Sequence, residues 1–116
     1  MVNKDREMMR DGLAAYQEAA AEFATYVHAE TGSDEALSFL TMSLASEVGE
    51  VAAEVRMLLA VTDSIARSRI EKKIRRELGD VLWCVSSLLS EMDSSLSNTA
   101  LRTLESLEVR GRKKDA

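Results

Sequence analysis

The stretch Ser43–Val55, SLASEVGEVAAEV, decides the fold of this chain. Its larger apolar residues, Leu44, Val48, Val51 and Val55, recur at spacings of four, three and four. That period places them on one face of an α-helix. The chain contains no proline that would interrupt such a pattern. The stretch therefore predicts an amphipathic helix that buries one face against other helices.

The same period extends over four segments, which are separated by short runs of capping residues. The segments cover about Met9–Ala29, Glu35–Ala60, Ile65–Met92 and Leu96–Val109. Helices that are joined by short connections pack as antiparallel neighbours. We therefore expect an all-α fold, an antiparallel four-helix bundle that is completed by oligomerisation. The alternative is an elongated helical chain whose core is completed by a second copy.

The composition supports this fold class and narrows the possible partners. Of the 116 residues 46% are apolar and only 4% are aromatic, a balance that favours helices over strands. We expect one domain, 1–116, with a structured core of about 9–109 and a basic tail of about 110–116. A net charge of −5 argues against binding to nucleic acid or to an anionic membrane. Without a signal peptide, a membrane span or paired cysteines, the protein is expected in the cytoplasm.

Two acidic pairs stand within the apolar segments: Glu47 with Glu50, and Glu77 with Asp80 in the run RRELGDVLW. A spacing of three puts both carboxylates of a pair on one side of a helix. On each helix the pair lies roughly 60° and 120° to the same side of the apolar stripe, taking about 100° per residue. In antiparallel neighbours these offsets bring both pairs to one edge of the interface. Four such carboxylates call for a hard cation, so we expect a Mg²⁺ site, with Mn²⁺ as a substitute, and a phosphorylated substrate.

Basic and aromatic residues near the second pair are candidates for substrate contacts. Lys73 and Arg76 share the side of the helix that carries Glu77 and Asp80, and would hold the outer phosphates. The alternative is ordinary ion pairs with the carboxylates four residues later. Trp83 would stack on a base, although an aromatic residue beside an apolar stripe is more often part of a core. Gln17 would contact a base through its amide.

The order of the two acidic motifs, E-x-x-E, then 26 residues, then E-x-x-D in ELGDVLW, resembles the MazG-like all-α nucleotide pyrophosphohydrolases. The resemblance covers about residues 13–110. It implies hydrolysis of a (deoxy)nucleoside triphosphate to the monophosphate and pyrophosphate, with Mg²⁺ held by the four acidic residues as the catalytic centre. We also expect the protein to form a homodimer or a higher homo-oligomer.

Some positions depart from the pattern of that family. Many relatives carry a second glutamate where this chain has Ser46, and an Asn and a Lys where it has Thr103 and Ser106. Arg110 is the phosphate contact that remains in the last helix. Two rival functions stay open: phosphoribosyl-ATP pyrophosphohydrolase, and a helical module that binds nucleotides or partners without catalysis.

Overall fold

A computed structural model describes residues 1–115, and all regular structure in that range is helical. The helices are α1 (Asn3–Ala21), α2 (Asp34–Ala60), α3 (Ser64–Glu91) and α4 (Leu96–Asp115). The predicted all-α class is confirmed. In this part of the chain, no helix has both the length and the apolarity that crossing a membrane requires.

Helices α2 and α3 form a tight antiparallel hairpin. Asp63 begins α3 as its N-cap, because its carboxylate accepts a hydrogen bond of 2.9 Å from the backbone N–H of Ala66. Arg67 closes the turn from the other side by donating to the carbonyls of Leu58 and Val61 at 2.7 and 3.0 Å. These local contacts hold the two helices antiparallel, which is the arrangement that brings the acidic pairs to one side.

Helix α3 is the centre of the fold. It contacts the other three helices, whereas α2, over the described residues, contacts α3 alone. The molecule measures 48 × 43 × 23 Å and is therefore thin in one direction. The buried apolar residues lie at the end of α1, the start of α2, the second half of α3 and the start of α4: Ala20, Ala36, Leu40, Cys84 and Leu96.

Part of the apolar stripe that predicted the core is exposed in the single chain. Val48 on α2 is 50% exposed and Leu78 on α3 is 49% exposed. The reason is that α2 has no second helix to cover it, and that the α2–α3 interface also takes in acidic residues. Glu54 and Glu77 are only 9% and 6% exposed.

The first helix differs from its prediction at both ends. It runs from Asn3 to Ala21, so Phe23 and Val27, which the predicted helix included, fall in the following loop, where they are 68% and 73% exposed. The early start is stabilised because Arg6 on α1 forms an ion pair of 2.9 Å with Glu105 on α4. Loop residues 22–33 take a course that periodicity within α1 cannot show.

The last helix is longer than predicted. Helix α4 continues through the basic tail to Asp115, beyond the predicted boundary of the structured core at about 109. Basic residues near a helix C-terminus interact favourably with the helix dipole, and Arg112 lies 3.9 Å from the Glu108 carboxylate one turn earlier. Ala116, the end of the predicted tail, lies outside the described residues.

Candidate metal centre and aromatic cleft

Three carboxylates converge at the α2–α3 interface. Glu47 and Glu50 come from α2 and Glu77 from α3, and each offers an oxygen that lies within 4.8 Å of the others. The spacing of three on α2 presents two carboxylates on one side, and the antiparallel hairpin brings the third to meet them. Sequence reasoning placed these groups beside the core, whereas Glu77 lies within the interface itself.

Two oxygens of this cluster are buried without a hydrogen-bond partner in the described part of the chain. They are Oε2 of Glu47 and Oε2 of Glu77. A buried carboxylate oxygen without a donor or a cation is costly. Oxygen-only ligands of this kind suit a hard divalent cation such as Mg²⁺ or Mn²⁺. The residues therefore fit the ion that the sequence predicts.

The cluster raises the pKa of two of its members. For Glu47 the largest cause is burial, followed by the negative charges of Glu50, Asp80 and Glu77. The pKa of Glu77 is also raised, first by burial and then by Glu50 and Glu54. The positive charges of Lys73 and Arg76 partly offset this second shift. Without a cation, the site disfavours full ionisation.

Asp80, the fourth predicted ligand, stands next to this group of three. It is exposed, and its charge acts on Glu47. Together with Glu47 it lines a cleft of about 410 Å³ that opens beside the carboxylates. Asp80 therefore connects the carboxylate cluster to the cleft.

Lys73 pairs with a carboxylate that the sequence argument did not assign to it. Its Nζ lies 2.8 Å from Oε1 of Glu54 on α2. The ion pair therefore connects α3 to α2, and is not the predicted pair between Lys73 and a carboxylate one turn later on α3. Glu54 follows Glu50 by four residues, and this spacing was the only signal in the sequence for its place beside the cluster. Arg76 forms no ion pair with a side chain of residues 1–114.

Three aromatic rings form one wall of the cleft, which we call the aromatic cleft. The Tyr26 ring is stacked on Phe39, with centroids 5.6 Å apart and planes at 12°. It meets Trp83 edge-on at 5.9 Å and 82°. The remaining lining residues are Thr25, Ser43, Glu47, Asp80 and Cys84. The sequence indicated Trp83 but gave no sign of Tyr26 or Phe39, because Tyr26 lies in a loop within the range predicted as helix, and Phe39 on α2 is stacked on that loop residue.

Two predicted contact residues lie elsewhere in the single chain. The amide of Gln17 donates to Ser90 Oγ and to the Ser94 carbonyl and accepts from the Leu96 N–H, so it holds the α3–α4 connection and does not line the aromatic cleft. Arg110 donates to Ser106 within α4, a helix that has no contact with α2 over the described residues.

Comparison with known proteins places the chain among relatives. Residues 35–113 match the family model of the MazG nucleotide pyrophosphohydrolase domain. The chain is also 38% identical, over 96 residues, to the Gene 37 protein of Mycobacterium phage L5, a match that covers 82% of this chain and 84% of that protein. No solved structure matches the chain.

Proposed function

Because the chain belongs to the MazG nucleotide pyrophosphohydrolase family, we propose that it hydrolyses a nucleoside or deoxynucleoside triphosphate to the monophosphate and pyrophosphate. Family membership confirms the resemblance that the two acidic motifs indicated. The observation that carries the proposal is the convergence of Glu47, Glu50 and Glu77, with two buried oxygens that lack a partner within the described residues.

In the proposed reaction the carboxylates hold the cation and orient the phosphate chain. Glu47, Glu50 and Glu77 would bind Mg²⁺ or Mn²⁺, and Asp80 would complete the site from its position beside Glu47. Mg²⁺, when bound, would neutralise charge on the phosphate oxygens and lower the pKa of a water molecule bound to it. Water attacks the α-phosphorus, the bond to the bridging oxygen breaks, and pyrophosphate leaves. One of the carboxylates accepts the proton of that water.

The aromatic cleft is the proposed place of the base. It shares Glu47 and Asp80 with the carboxylate cluster, so a nucleotide with its phosphates at the cluster would have its base among the rings. Trp83 would stack on the base, together with Tyr26 and Phe39. Stacking of a base on an aromatic side chain contributes about 1–3 kcal/mol. The structure offers no such contact to Gln17 within one chain.

Basic residues on α3 are proposed to contact the outer phosphates. Lys73 lies one turn before Glu77, and its ion pair with Glu54 keeps it at the edge of the cluster. Arg76 is exposed beside Glu77 and forms no ion pair among residues 1–114. Arg110 would have to reach the phosphates from a second copy of the chain.

We further propose that the active form is a homodimer or a higher homo-oligomer in the cytoplasm. The support for association is the uncovered apolar face of the α2–α3 hairpin: Val48 is 50%, Val55 36%, Leu78 49% and Leu82 42% exposed. Burial of these residues would supply the apolar contact that α2 lacks within one chain.

The decisive experiment incubates the protein with individual nucleotides and Mg²⁺ and identifies the products by anion-exchange chromatography. We expect monophosphate and pyrophosphate in equal amounts. Glu50→Gln and Asp80→Asn should abolish turnover with unchanged helical content, whereas Glu71→Gln, an exposed control on α3, should retain it. Full turnover in both cluster variants would contradict the proposal.

The same experiment separates the two rival functions. Release of pyrophosphate from phosphoribosyl-ATP alone would make that compound the substrate. Saturable binding of a nonhydrolysable triphosphate, with no product from any nucleotide under Mg²⁺ or Mn²⁺, would indicate a binding module. The features of the chain that favour this second rival are Ser46, Thr103 and Ser106, which stand where many relatives carry a glutamate, an Asn and a Lys.

A further inference from the structure

A buried carboxylate at the end of α3, remote from the cluster, holds the loop that carries Tyr26. Glu91 is 8% exposed. Its Oε2 accepts a short hydrogen bond from the Tyr26 hydroxyl and a bond of 2.8 Å from the backbone N–H of Glu30. Its Oε1 accepts from the N–H of Gly32 at 2.8 Å. One side chain thus ties three points of loop 22–33 to α3.

The loop needs such an anchor because its backbone is not in a relaxed conformation. His28 and Glu30 have φ values of 63° and 64°, a region that side-chain-bearing residues rarely occupy. Gly32 also has a φ of 64°, and a Cβ there would meet the carbonyl oxygen of Glu91 at 3.1 Å. Conformations of this kind persist only where the surroundings hold them. The Glu91 carboxylate holds two of these three residues, because it accepts hydrogen bonds from the backbone N–H groups of Glu30 and Gly32.

Tyr26 lines two cavities, the aromatic cleft and a second cavity of about 350 Å³. The walls of this second cavity include Ala21, Ala24, Ser86, Ser87 and Ser90. Since Tyr26 borders open space at both cavities, its position depends on the two ring contacts and on the hydroxyl bond to Glu91.

We propose that Glu91 is a positioning residue for the substrate base: by holding the Tyr26 hydroxyl and the loop backbone, it sets the aromatic wall on which the base stacks. This inference rests on the proposed function, which places the base in the aromatic cleft. Glu91 lies outside the aromatic cleft and would act on the base only through Tyr26 and the loop that carries it.

The charge of Glu91 suits this role. Burial by itself would raise its pKa, but the hydrogen bonds from Tyr26, Glu30 and Gly32 lower it overall, so the group is ionised at neutral pH. Hydrogen bonds to an ionised acceptor are stronger than those between neutral groups. A glutamine at this position would turn an NH₂ group toward at least one of the donors, so that this bond would be lost.

The test compares Glu91→Gln and Tyr26→Phe with the wild-type protein. We expect KM for the nucleotide to rise about tenfold in each variant, which corresponds to about 1.4 kcal/mol, while kcat changes less than about twofold. Emission of Trp83, the only tryptophan, should change in both variants, because its ring meets Tyr26 edge-on. The affinity for Mn²⁺, measured by isothermal titration, should be unchanged.

Glu108→Gln is the matched control. This carboxylate also has a lowered pKa, chiefly because it bonds to the amino group of Met1, but it lies on α4 and outside the aromatic cleft. KM and Trp83 emission should equal those of wild type. A rise in KM in this control as large as in Glu91→Gln would contradict a specific role for Glu91.

Binding measurements keep this inference separate from the proposed reaction. If the wild-type protein lacks turnover, the hydrolase proposal fails, but the positioning role of Glu91 can still be tested by binding. The protein is then titrated with a nonhydrolysable triphosphate, and binding is measured by Trp83 emission. A Kd about tenfold higher in both variants than in the wild type supports the positioning role. Nucleotide affinity equal to that of wild type in Tyr26→Phe, or no binding by wild type, overturns the inference. A kcat loss with unchanged KM, or weakened Mn²⁺ binding, also overturns it. If Glu91→Gln does not fold by circular dichroism, Tyr26→Phe decides alone.

Discussion

Neutralising Glu77 should weaken the dependence of the protein's thermal stability on divalent cations. Glu77 lies within the α2–α3 interface, has a partnerless buried oxygen, and has a pKa that is raised by burial and by Glu50 and Glu54. Glu77→Gln removes one like charge from the cluster and one ligand from the proposed site. We expect the variant, without metal, to be at least as stable as the wild type, and to gain at most about half as much stability from Mg²⁺ or Mn²⁺ as the wild type does.

The expected size of the effect follows from linkage and from the length of the chain. A cation at one hundred times its Kd stabilises the folded state by about 2.7 kcal/mol. For 116 residues, an unfolding entropy of about 2.1 cal/mol/K per residue makes each kcal/mol worth about 4 °C in Tm. Wild type should therefore gain about 11 °C. A loss of at least about tenfold in affinity on removal of a ligand would reduce this gain by about 6 °C.

The effect of pH has a definite sign. The pKa values of Glu47 and Glu77 are raised in the folded state, so the metal-free fold binds protons more tightly than the unfolded chain does. Their contribution is fully present below the unfolded pKa, and stability falls as pH rises through the raised values. Because cations compete with these protons, the gain in Tm from metal should be larger at pH 8 than at pH 5.

The Tm of each protein is measured by scanning calorimetry at both pH values, with and without MnCl₂ or MgCl₂. The ionic strength is kept constant with NaCl. Glu71→Gln, on the exposed side of the same helix, should respond to metal as the wild type does. A metal-induced gain in Glu77→Gln equal to that of the wild type would refute the reasoning, as would equal gains at pH 5 and pH 8.

Three other features lead to independent predictions. Asp63→Ala should cost about 1 kcal/mol in the free energy of unfolding in urea, and Asp63→Asn much less, because asparagine also caps helices; equal losses would contradict the cap. Val48→Asp should shift the protein to monomer in light scattering, whereas Val27→Asp, on the exposed loop, should not; an unchanged mass for Val48→Asp would exclude this face as the interface. Glu91 has a lowered pKa, so its contribution to stability is present above the unfolded pKa and is lost as pH falls through the folded value. Glu91→Gln should therefore show a shallower loss of Tm in acid than the wild type, and parallel acid profiles would contradict this.

The features that could be predicted from the sequence are those with local causes. Asp63 caps α3 through a residue three positions away, and the boundaries of α2 and α3 were accordingly predicted to within one residue. The carboxylates of Glu47 and Glu50 lie together because of helix geometry, and the short turn after α2 brings Glu77 to them.

The features that escaped prediction depend on contacts between distant parts of the chain. Helix α1 ends before Phe23 although its apolar spacing continues, because the following residues are held by Glu91, some sixty positions later. The aromatic wall was missed for the same reason, since Tyr26 belongs to that loop. Gln17 had the chemistry of a base contact, but its amide is occupied by Ser90, Ser94 and Leu96.

Over the described residues α2 contacts α3 alone, so the proposed metal site and the packing of the α2–α3 hairpin depend on each other. The interface between these two long helices contains mutually repelling carboxylates, and this repulsion opposes their packing where the reaction is proposed to take place. A cation bound at that point would offset the repulsion and hold the two helices together there. Binding of the cation and tight packing of the α2–α3 hairpin would then be a single event, and the metal-free hairpin would be the form most accessible to proteases.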